Sequence, residues 1–310
     1  MSDKKFRLIT RTDFDGIICG TLFQERDMVD EVIFAEPNDM QRGLVAVTSD
    51  DITANLPYRE EVHLCFDHHR SELERVGSRD NLINDPDAPS AARVIYNHYG
   101  GKSGFPDISE EMMAAVDQAD SAQYEMEDIL APAGWTMLNF ILDPRTGLED
   151  FGKFALDHDS FMTDMMTYCR HSPIDVILEL PDVAERVQSL TYHAELAEMQ
   201  IKRCTAEHGS LVVTDLRKEL DIFPVNRFMI YALYPESSIS MTVQKSRREG
   251  ITAIGMGKSI LNRTAKTDIG KLLLTHGGGG HAQAGGVKLP DGEADQAIEA
   301  IIASVASQES

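Results

Sequence analysis

The chain has 310 residues, 42% of them hydrophobic and 26% charged, which is the balance of a soluble globular protein large enough for two domains. Its formal net charge of -22 argues against long DNA or RNA as a partner, because affinity for nucleic acid depends on Lys and Arg that neutralise phosphates. No apolar run is long enough to cross a membrane, and the first residues do not resemble a signal peptide. The four cysteines have no paired spacing, which indicates free thiols and a cytoplasmic protein.

The first part of the chain alternates short apolar strands with helical stretches, the pattern of a parallel α/β sheet. The predicted strands are Phe6–Thr10, Val32–Ala35, Asp51–Asn55 and Val62–Phe66. The predicted helices are Ile17–Phe23, Ser90–Tyr96, Glu110–Ala119 and most of Trp135–Ile177. Ligands of open parallel sheets bind outside the carboxyl ends of the strands, so the residues that follow the strands are the first candidates for a site.

Two acidic residues, Asp13 and Asp15, follow the first strand and precede Gly16 and an apolar helix. If the loop is extended, alternate carboxylates point the same way. Their oxygens are hard ligands that suit Mg²⁺ or Mn²⁺. The alternative is that an Asp before the helix simply caps it.

The strand Val62–Phe66 ends abruptly in Asp67, His68 and His69. One carboxylate and two imidazoles at a strand end can bind a metal ion and move protons. Acidic residues also lie at the C-terminal end of the helix Glu110–Ala119. A carboxylate there is repelled by the negative end of the helix dipole, and a bound cation would explain why acids occur at this position. The alternative for these acids is an ordinary solvated surface.

The second part of the chain begins after a long charged helix, predicted over Pro181–His208. We therefore predict a first domain over residues 1–180, a linker helix over 181–208 and a smaller mixed α/β domain over 209–310. Its predicted strands are Ser210–Thr214, Phe228–Leu233, Ile239–Val243, Thr252–Gly257 and Ala284–Leu289, and its predicted helices are Ile269–Thr275 and Glu293–Ser307.

A run of four glycines, Gly277 to Gly280, precedes His281 between an apolar helix and an apolar strand. Such a run lets backbone N–H groups approach an anion closely. His281, Arg263 and Lys258 could add cationic donors for phosphate. The alternative is a flexible linker, but linkers are usually polar on both sides.

These segments together resemble the DHH phosphoesterase superfamily. Its motifs occur in the same order as Asp13-Phe14-Asp15-Gly16, Asp67-His68-His69, Asp120 and the glycine–His segment, which resembles the DHH-associated C-terminal domain. The chain is most similar to bacterial oligoribonucleases that also act on pAp and to proteins labelled exopolyphosphatase-related. The resemblance implies one or two Mn²⁺ ions (Mg²⁺ being the alternative ion) in the first domain, an active site in the cleft between the domains, and a homodimer.

The resemblance also implies a role for each matching residue. His69 would lie beside the reacting phosphate as a proton or hydrogen-bond donor, and Asp67 would orient the neighbouring histidines. The metal ligands implied are Asp13, Asp15, His68 and Asp120, with Asp117 as the alternative to Asp120. The residues implied to hold the phosphate or terminal base of the substrate are Gly278, Gly279, Gly280, His281 and Arg263.

Two positions depart from the family pattern. Arg11 stands where the first motif usually opens with His, and Asn55 stands nearest to a metal-binding Asp, with Asp50 and Asp51 as alternatives. Arginine is always protonated and cannot ligate a metal ion, whereas Asn can do so through its carbonyl oxygen. The site would then hold one tight Mn²⁺ with Arg11 as a fixed catalytic charge, or catalysis would have been lost.

The sequence thus predicts a metal-dependent phosphodiesterase that hydrolyses short linear dinucleotides such as pGpG or pApA, or pAp, to mononucleotides. A small substrate fits an acidic protein, since a local group of cations can override the global field. Two alternatives remain at this stage: an exopolyphosphatase or pyrophosphatase, and a catalytically silent nucleotide-binding regulatory protein.

Overall fold

The computed structural model describes residues 4–309, which form two compact units. One unit comprises the chain up to Gln123 together with Pro132–Ser189, and the other comprises Tyr124–Ala131 and the chain from Leu190 onwards. The boundary after Ser189 falls inside the long helix Pro181–Cys204. Within the described part of the chain, no helix is both long and apolar enough to span a membrane.

The first unit contains a parallel sheet whose strand order is β2-β1-β3-β4-β5. This is a doubly wound order, in which the strand sequence reverses direction between β1 and β3. The strands are β1 Phe6–Thr10, β2 Val29–Phe34, β3 Asp51–Ala54, β4 Leu64–Asp67 and β5 Leu82–Asn84.

Helices cover this sheet and bury its apolar residues. The first helix is apolar almost all round, as expected of a helix that is buried on several sides. Its Phe23 ring packs edge-on against Phe66 of β4 with ring centroids 5.5 Å apart. The helices of the first unit, numbered along the whole chain, are α1 Phe14–Glu25, α2 Pro37–Gln41, α3 Arg70–Val76, α4 Ala91–His98, α5 Glu110–Asp120, α7 Gly134–Leu142, α8 Leu148–Phe151, α9 His158–His171 and α10 Ile174–Leu178, followed by α11 Pro181–Cys204, which enters the second unit.

The second unit contains a mixed sheet of strand order β10-β11-β9-β8-β7-β6, in which β7 and β8 pair in parallel and the other neighbours are antiparallel. Its core packs the inner faces of β7, β8 and β9 against the last two helices. The strands are β6 Thr205–His208, β7 Leu211–Asp215, β8 Ile239–Lys245, β9 Ile251–Lys258, β10 Gly279–Gly280 and β11 Ala284–Pro290, and the helices are α6 Met126–Leu130, α12 Met229–Leu233, α13 Ile269–Leu274 and α14 Asp291–Glu309.

The predicted α/β class is confirmed, with a parallel sheet in one unit and a separate mixed sheet in the other. Most predicted elements are present within a few residues, but the strand predicted over Phe228–Leu233 is wrong, because this segment is helix α12. A short apolar run fits a buried strand and a buried helix equally well. The helix begins at Met229, and in the turn before it the Asn226 side chain accepts a hydrogen bond from the Phe228 amide at 3.1 Å.

The end of the predicted linker helix is also wrong. The helix stops at Cys204, and Thr205–His208 turns back as strand β6 to pair with β7. The turn uses Gly209 with a φ of 67°, a conformation that favours glycine. Strand β5 and helix α3 were not predicted from the sequence, because β5 is only three residues long and the charged residues of the short helix α3 hide its apolar pattern.

Candidate metal centre and active site

The polar residues predicted for the site come together at the carboxyl edge of the parallel sheet. Strands β1, β3 and β4 are neighbours in the sheet, so the residues that follow them share one edge. Arg11 and Asp13 follow β1, Asn55 follows β3, and His68 follows β4. This edge includes the point between β1 and β3 where open sheets of this order bind their ligands.

Three ligands form a group that fits a metal ion. One ligand atom each of Asp15, His68 and Asp120 lies within 4.8 Å of the other two. Two carboxylates and one imidazole are a ligand set suited to a divalent metal ion. Of the predicted alternatives Asp117 and Asp120, the structure therefore brings Asp120 to the group. Asp117 instead pairs with the guanidinium of Arg93 at 2.5 Å.

Asp15 lies in the first turn of α1, and not in an extended loop as the sequence suggested. Its side chain is fixed by the N-terminus of α4, where the Ala92 and Ala91 amides donate to the two carboxylate oxygens at 2.8 and 3.0 Å. Such supporting hydrogen bonds orient a metal ligand while each oxygen keeps a lone pair. Asp13 precedes the helix and caps it by accepting a hydrogen bond from Gly16, so the capping alternative also holds for that residue.

The imidazole of His68 is oriented for ligation. Its Nδ1 atom lies 3.1 Å from the carbonyl oxygen of Ala88, which can only accept, so Nδ1 carries a proton and Nε2 has the lone pair whenever the ring is neutral. Nε2 is buried and lies 3.0 Å from Oδ2 of Asp120, but it makes no well-formed hydrogen bond to the described residues. A buried ring nitrogen that faces carboxylates, while the other ring nitrogen is held by a backbone carbonyl, is arranged as a metal ligand requires.

The pKa values of the metal-free group reflect this crowding. Burial and the nearby Asp120 carboxylate raise the pKa of Asp15 to about 7, although His68 acts in the opposite direction. Burial alone would lower the pKa of His68, but the carboxylates of Asp120 and Asp15 outweigh it and raise the value to about 9. The group therefore holds protons that a metal ion would displace.

The Asp67 carboxylate contacts His69. The prediction was that Asp67 orients both neighbouring histidines, and the contact is with the second of them. The buried Asp67 carboxylate lies 2.7 Å from Nδ1 of His69. This contact raises the pKa of His69, although burial opposes it. The arrangement is suited to a proton donor, because a buried carboxylate stabilises the imidazolium and fixes the ring.

Asp13, Arg11 and Asn55 form a second cluster beside the metal ligands. Asp13 Oδ2 lies 3.1 Å from Nη1 of Arg11, and Asp13 Oδ1 accepts from Nδ2 of Asn55 at 3.3 Å. Asp13 is not a member of the three-residue group. The alternatives Asp50 and Asp51 lie at the opposite end of β3, where Asp51 pairs with Arg7 at 2.7 Å.

The glycine segment of the second unit is shaped by packing. A Cβ atom on Gly278 would lie 2.5 Å from the Gly286 oxygen, and one on Gly280 would lie 2.3 Å from the Ala284 oxygen. The amides of Gly278 and His281 donate to Leu273 and Ala284 at 2.9 and 2.8 Å, so these two are not free to bind an anion. Gly279 has open space around it, His281 is exposed, and Arg263 donates to the Ile260 carbonyl at 2.9 Å.

One residue near the site was missed by the sequence reasoning. Arg145 lies in the turn after α7, held by Asp143 through a 2.6 Å contact, with half of its side chain exposed. Partial burial opposes its charge, but Asp143 raises the pKa of Arg145, with smaller contributions from Asp13 and Asp120. The only sequence signal was the turn itself, because nothing local in the sequence shows that Arg145 interacts electrostatically with Asp13 and Asp120.

Comparisons with known proteins agree with this geometry. No protein-family model and no curated protein sequence matches the chain. Among solved structures, the chain is similar to the pGpG-specific phosphodiesterase PggH from Vibrio cholerae, with 43% sequence identity, a TM-score of 0.86, and coverage of 98% of this chain and 100% of that one.

More distant matches share the fold. RecJ from Thermus thermophilus in complex with Mn²⁺ is 10% identical with a TM-score of 0.52, and the match covers 98% of this chain and 52% of that one. An exonuclease RecJ bound to manganese is 12% identical with a TM-score of 0.50, and the match covers 98% and 90% of the two chains.

The likeness to PggH, together with the doubly wound sheet and the metal-ligand group at its carboxyl edge, identifies a hydrolase that cleaves phosphoester bonds. With 43% identity to PggH over nearly the whole length of both chains, the protein belongs to the DHH phosphoesterase superfamily. The predicted family and enzyme class are thereby confirmed.

Proposed function

We propose that this protein is a metal-dependent phosphodiesterase that hydrolyses pGpG to mononucleotides. The observation that carries the proposal is its 43% identity to the pGpG-specific phosphodiesterase PggH along the full length of both chains. The intact group of Asp15, His68 and Asp120 supports catalysis over a silent nucleotide-binding role. We infer that Mn²⁺ is the preferred ion, because one of the three ligands is an imidazole.

Each residue of the site has a separate role in the proposed reaction. Asp15, His68 and Asp120 would hold the ion, whose Lewis acidity activates water and withdraws charge from the phosphoryl oxygens. His69, held by Asp67, donates a proton to the departing ribose oxygen. Arg11 places a permanent positive charge beside the phosphoryl group.

We propose that the second unit recognises the remainder of the substrate. Gly279 has room for a ligand, and the exposed His281 and the Arg263 guanidinium offer donors for a phosphate or a base. His281→Ala is expected to raise KM by about 10-fold and leave kcat nearly unchanged, since the role proposed for His281 is in binding and not in the chemical step. A wild-type KM in this variant would contradict the assigned role.

The charge of the protein restricts its partners. With a net charge of -22, short substrates are favoured over long nucleic acid, whose binding requires an extended basic surface. All four cysteines are free, which supports the cytoplasm as the place of action. A homodimer remains a prediction from the family resemblance, and the size of the purified protein in solution would test it.

The proposal is tested by turnover of pGpG with Mn²⁺ or Mg²⁺, with pApA, pAp, pyrophosphate and short polyphosphate assayed alongside. The expected result is release of GMP that chelator stops, with pGpG preferred over the other substrates. Orthophosphate release from the inorganic substrates alone would overturn the proposal in favour of a polyphosphatase. Binding of pGpG without hydrolysis would instead indicate a regulatory protein.

A further inference from the structure

Both oxygens of the Asp13 carboxylate already have partners within the protein. Oδ1 accepts hydrogen bonds from the Gly16 amide at 3.0 Å and from Nδ2 of Asn55 at 3.3 Å. Oδ2 lies 3.1 Å from Nη1 of Arg11. A guanidinium stays protonated at any pH at which the protein is folded, so these donors occupy the positions from which a cation would approach Asp13.

Asn55 is held in place by its backbone. It is fully buried and has a φ of 56°, a left-handed conformation that Asn tolerates better than most residues. Its Nδ2 faces Asp13, and its buried Oδ1 has no hydrogen-bond partner among residues 4–309. Asn55 therefore offers one neutral acceptor, its Oδ1 atom, beside Asp13. This atom can accept a hydrogen bond from a water molecule, and it adds no negative charge to attract an ion.

The charges of the cluster balance with a single ion. One carboxylate oxygen of Asp15 and one of Asp120 lie within 4.8 Å of each other, and Asp13 stands two residues before Asp15, in contact with Arg11. Their three negative charges are matched by one divalent ion together with Arg11. A second divalent ion would leave an excess of positive charge in a partly buried site, which costs free energy before any substrate binds.

We propose that this site works with one divalent ion, bound by Asp15, His68 and Asp120, and that Arg11, clamped by Asp13 and Asn55, takes the place of a second ion on the phosphoryl group. The inference rests on the proposed metal-dependent hydrolysis and specifies its charge arrangement. Nη1 of Arg11 contacts the Asp13 carboxylate, and 28% of the side chain is exposed. The remaining donors of the planar guanidinium can reach a phosphate oxygen.

The test counts bound Mn²⁺ by equilibrium dialysis and elemental analysis, with the electron paramagnetic resonance spectrum as an independent readout. The wild-type protein is expected to bind one ion per chain tightly and to show the spectrum of isolated Mn²⁺. The double variant Arg11→His/Asn55→Asp replaces two donors around Asp13 with two ligands and is expected to bind two ions, with the line broadening of adjacent Mn²⁺.

The single variant Arg11→Met separates charge from metal binding. It is expected to keep one ion per chain but to lose about 100-fold in kcat, the usual cost of removing one preorganised charge from the transition state. Arg79→Met, at an exposed position between α3 and β5, serves as the matched control and is expected to behave as wild type.

Two tightly bound ions in the wild-type protein would overturn the inference, as would full kcat in Arg11→Met. If the double variant does not fold, the wild-type ion count and Arg11→Met still decide the question. Failure of the proposed function is distinguishable, because a protein with one bound Mn²⁺ and no turnover of pGpG would refute the activity while leaving the ion count as proposed.

Discussion

The Nδ1 atom of His69 lies 2.7 Å from Oδ1 of the buried Asp67, so the second histidine of the motif is held by the residue that opens it. His68 is supported differently, through the Ala88 carbonyl. The two adjacent imidazoles thus have different roles. His68 is oriented to bind a metal ion through Nε2, and His69 is oriented to donate a proton.

Asp67→Asn is expected to lower kcat by about 100-fold, within the range for loss of general acid catalysis, because His69 loses the carboxylate that stabilises its protonated form. The affinity for Mn²⁺ should not change, since His68 does not depend on Asp67. Steady-state kinetics with pGpG and calorimetric titration with Mn²⁺ check both statements. Asp80→Asn, at an exposed loop position, is the control. Loss of Mn²⁺ binding in Asp67→Asn would contradict the different roles assigned to His68 and His69.

His68→Ala is expected to abolish tight metal binding and turnover together. Only two carboxylates would remain in the group, and they repel each other without the imidazole between them. Dialysis against Mn²⁺ followed by elemental analysis measures the loss, and His208→Ala, on the exposed strand β6, should retain the ion. Full Mn²⁺ binding by His68→Ala would show that the metal ion binds at a different site.

Metal binding is expected to release protons in a pH-dependent way. In the metal-free site the pKa of Asp15 is about 7 and that of His68 is about 9, and a ligand must be deprotonated at the coordinating atom. Mn²⁺ should therefore displace about two protons at pH 6 and about one at pH 8, so its affinity rises with pH. Titration calorimetry in buffers of different ionisation enthalpy measures this number, and binding heats that do not depend on the buffer would refute it.

Arg145→Gln is expected to raise the KM for pGpG by about 10-fold while one Mn²⁺ still binds, because the variant removes a cation that acts on the site and leaves the metal ligands intact. The interaction of Arg145 with Asp13 and Asp120 is the basis for this expectation. Kinetics of this variant beside Arg79→Gln would check it. An unchanged KM would show that Arg145 serves only the turn that it forms with Asp143.

Gly280→Ala is expected to destabilise the protein by about 1–3 kcal/mol, the usual cost of a residue in a backbone conformation reserved for glycine. Its φ of 148° and the 2.3 Å approach of a Cβ atom to the Ala284 oxygen act together. Gly292→Ala, in the first turn of α14 with open space around it, is the control and should be neutral or stabilising. Thermal melts of both variants measure the difference, and equal melting temperatures would exclude strain at Gly280.

Local patterns in the sequence were sufficient for much of this protein. Apolar runs that end in Asp13, Asn55 and His68 mark the strands and the edge that carries the site, because strand burial and polar strand ends are encoded by neighbouring residues. The departures at Arg11 and Asn55 were also visible without a structure. The apolar segment Phe228–Leu233 was not decided in this way, since its length fits a strand or a helix.

Contacts between distant segments were decided only by the tertiary structure. Asp117 and Asp120 lie one helical turn apart and look equivalent in the sequence, yet one pairs with Arg93 and the other joins His68. The contacts of Asp13 were likewise decided by the tertiary structure, because its partners Arg11 and Asn55 follow two different strands. The sequence by itself determined which groups could bind a metal ion or a phosphate. Which of them do so depends on how the sheet and helices bring those groups together, because charge and ligation act over a few ångströms in space and not along the chain.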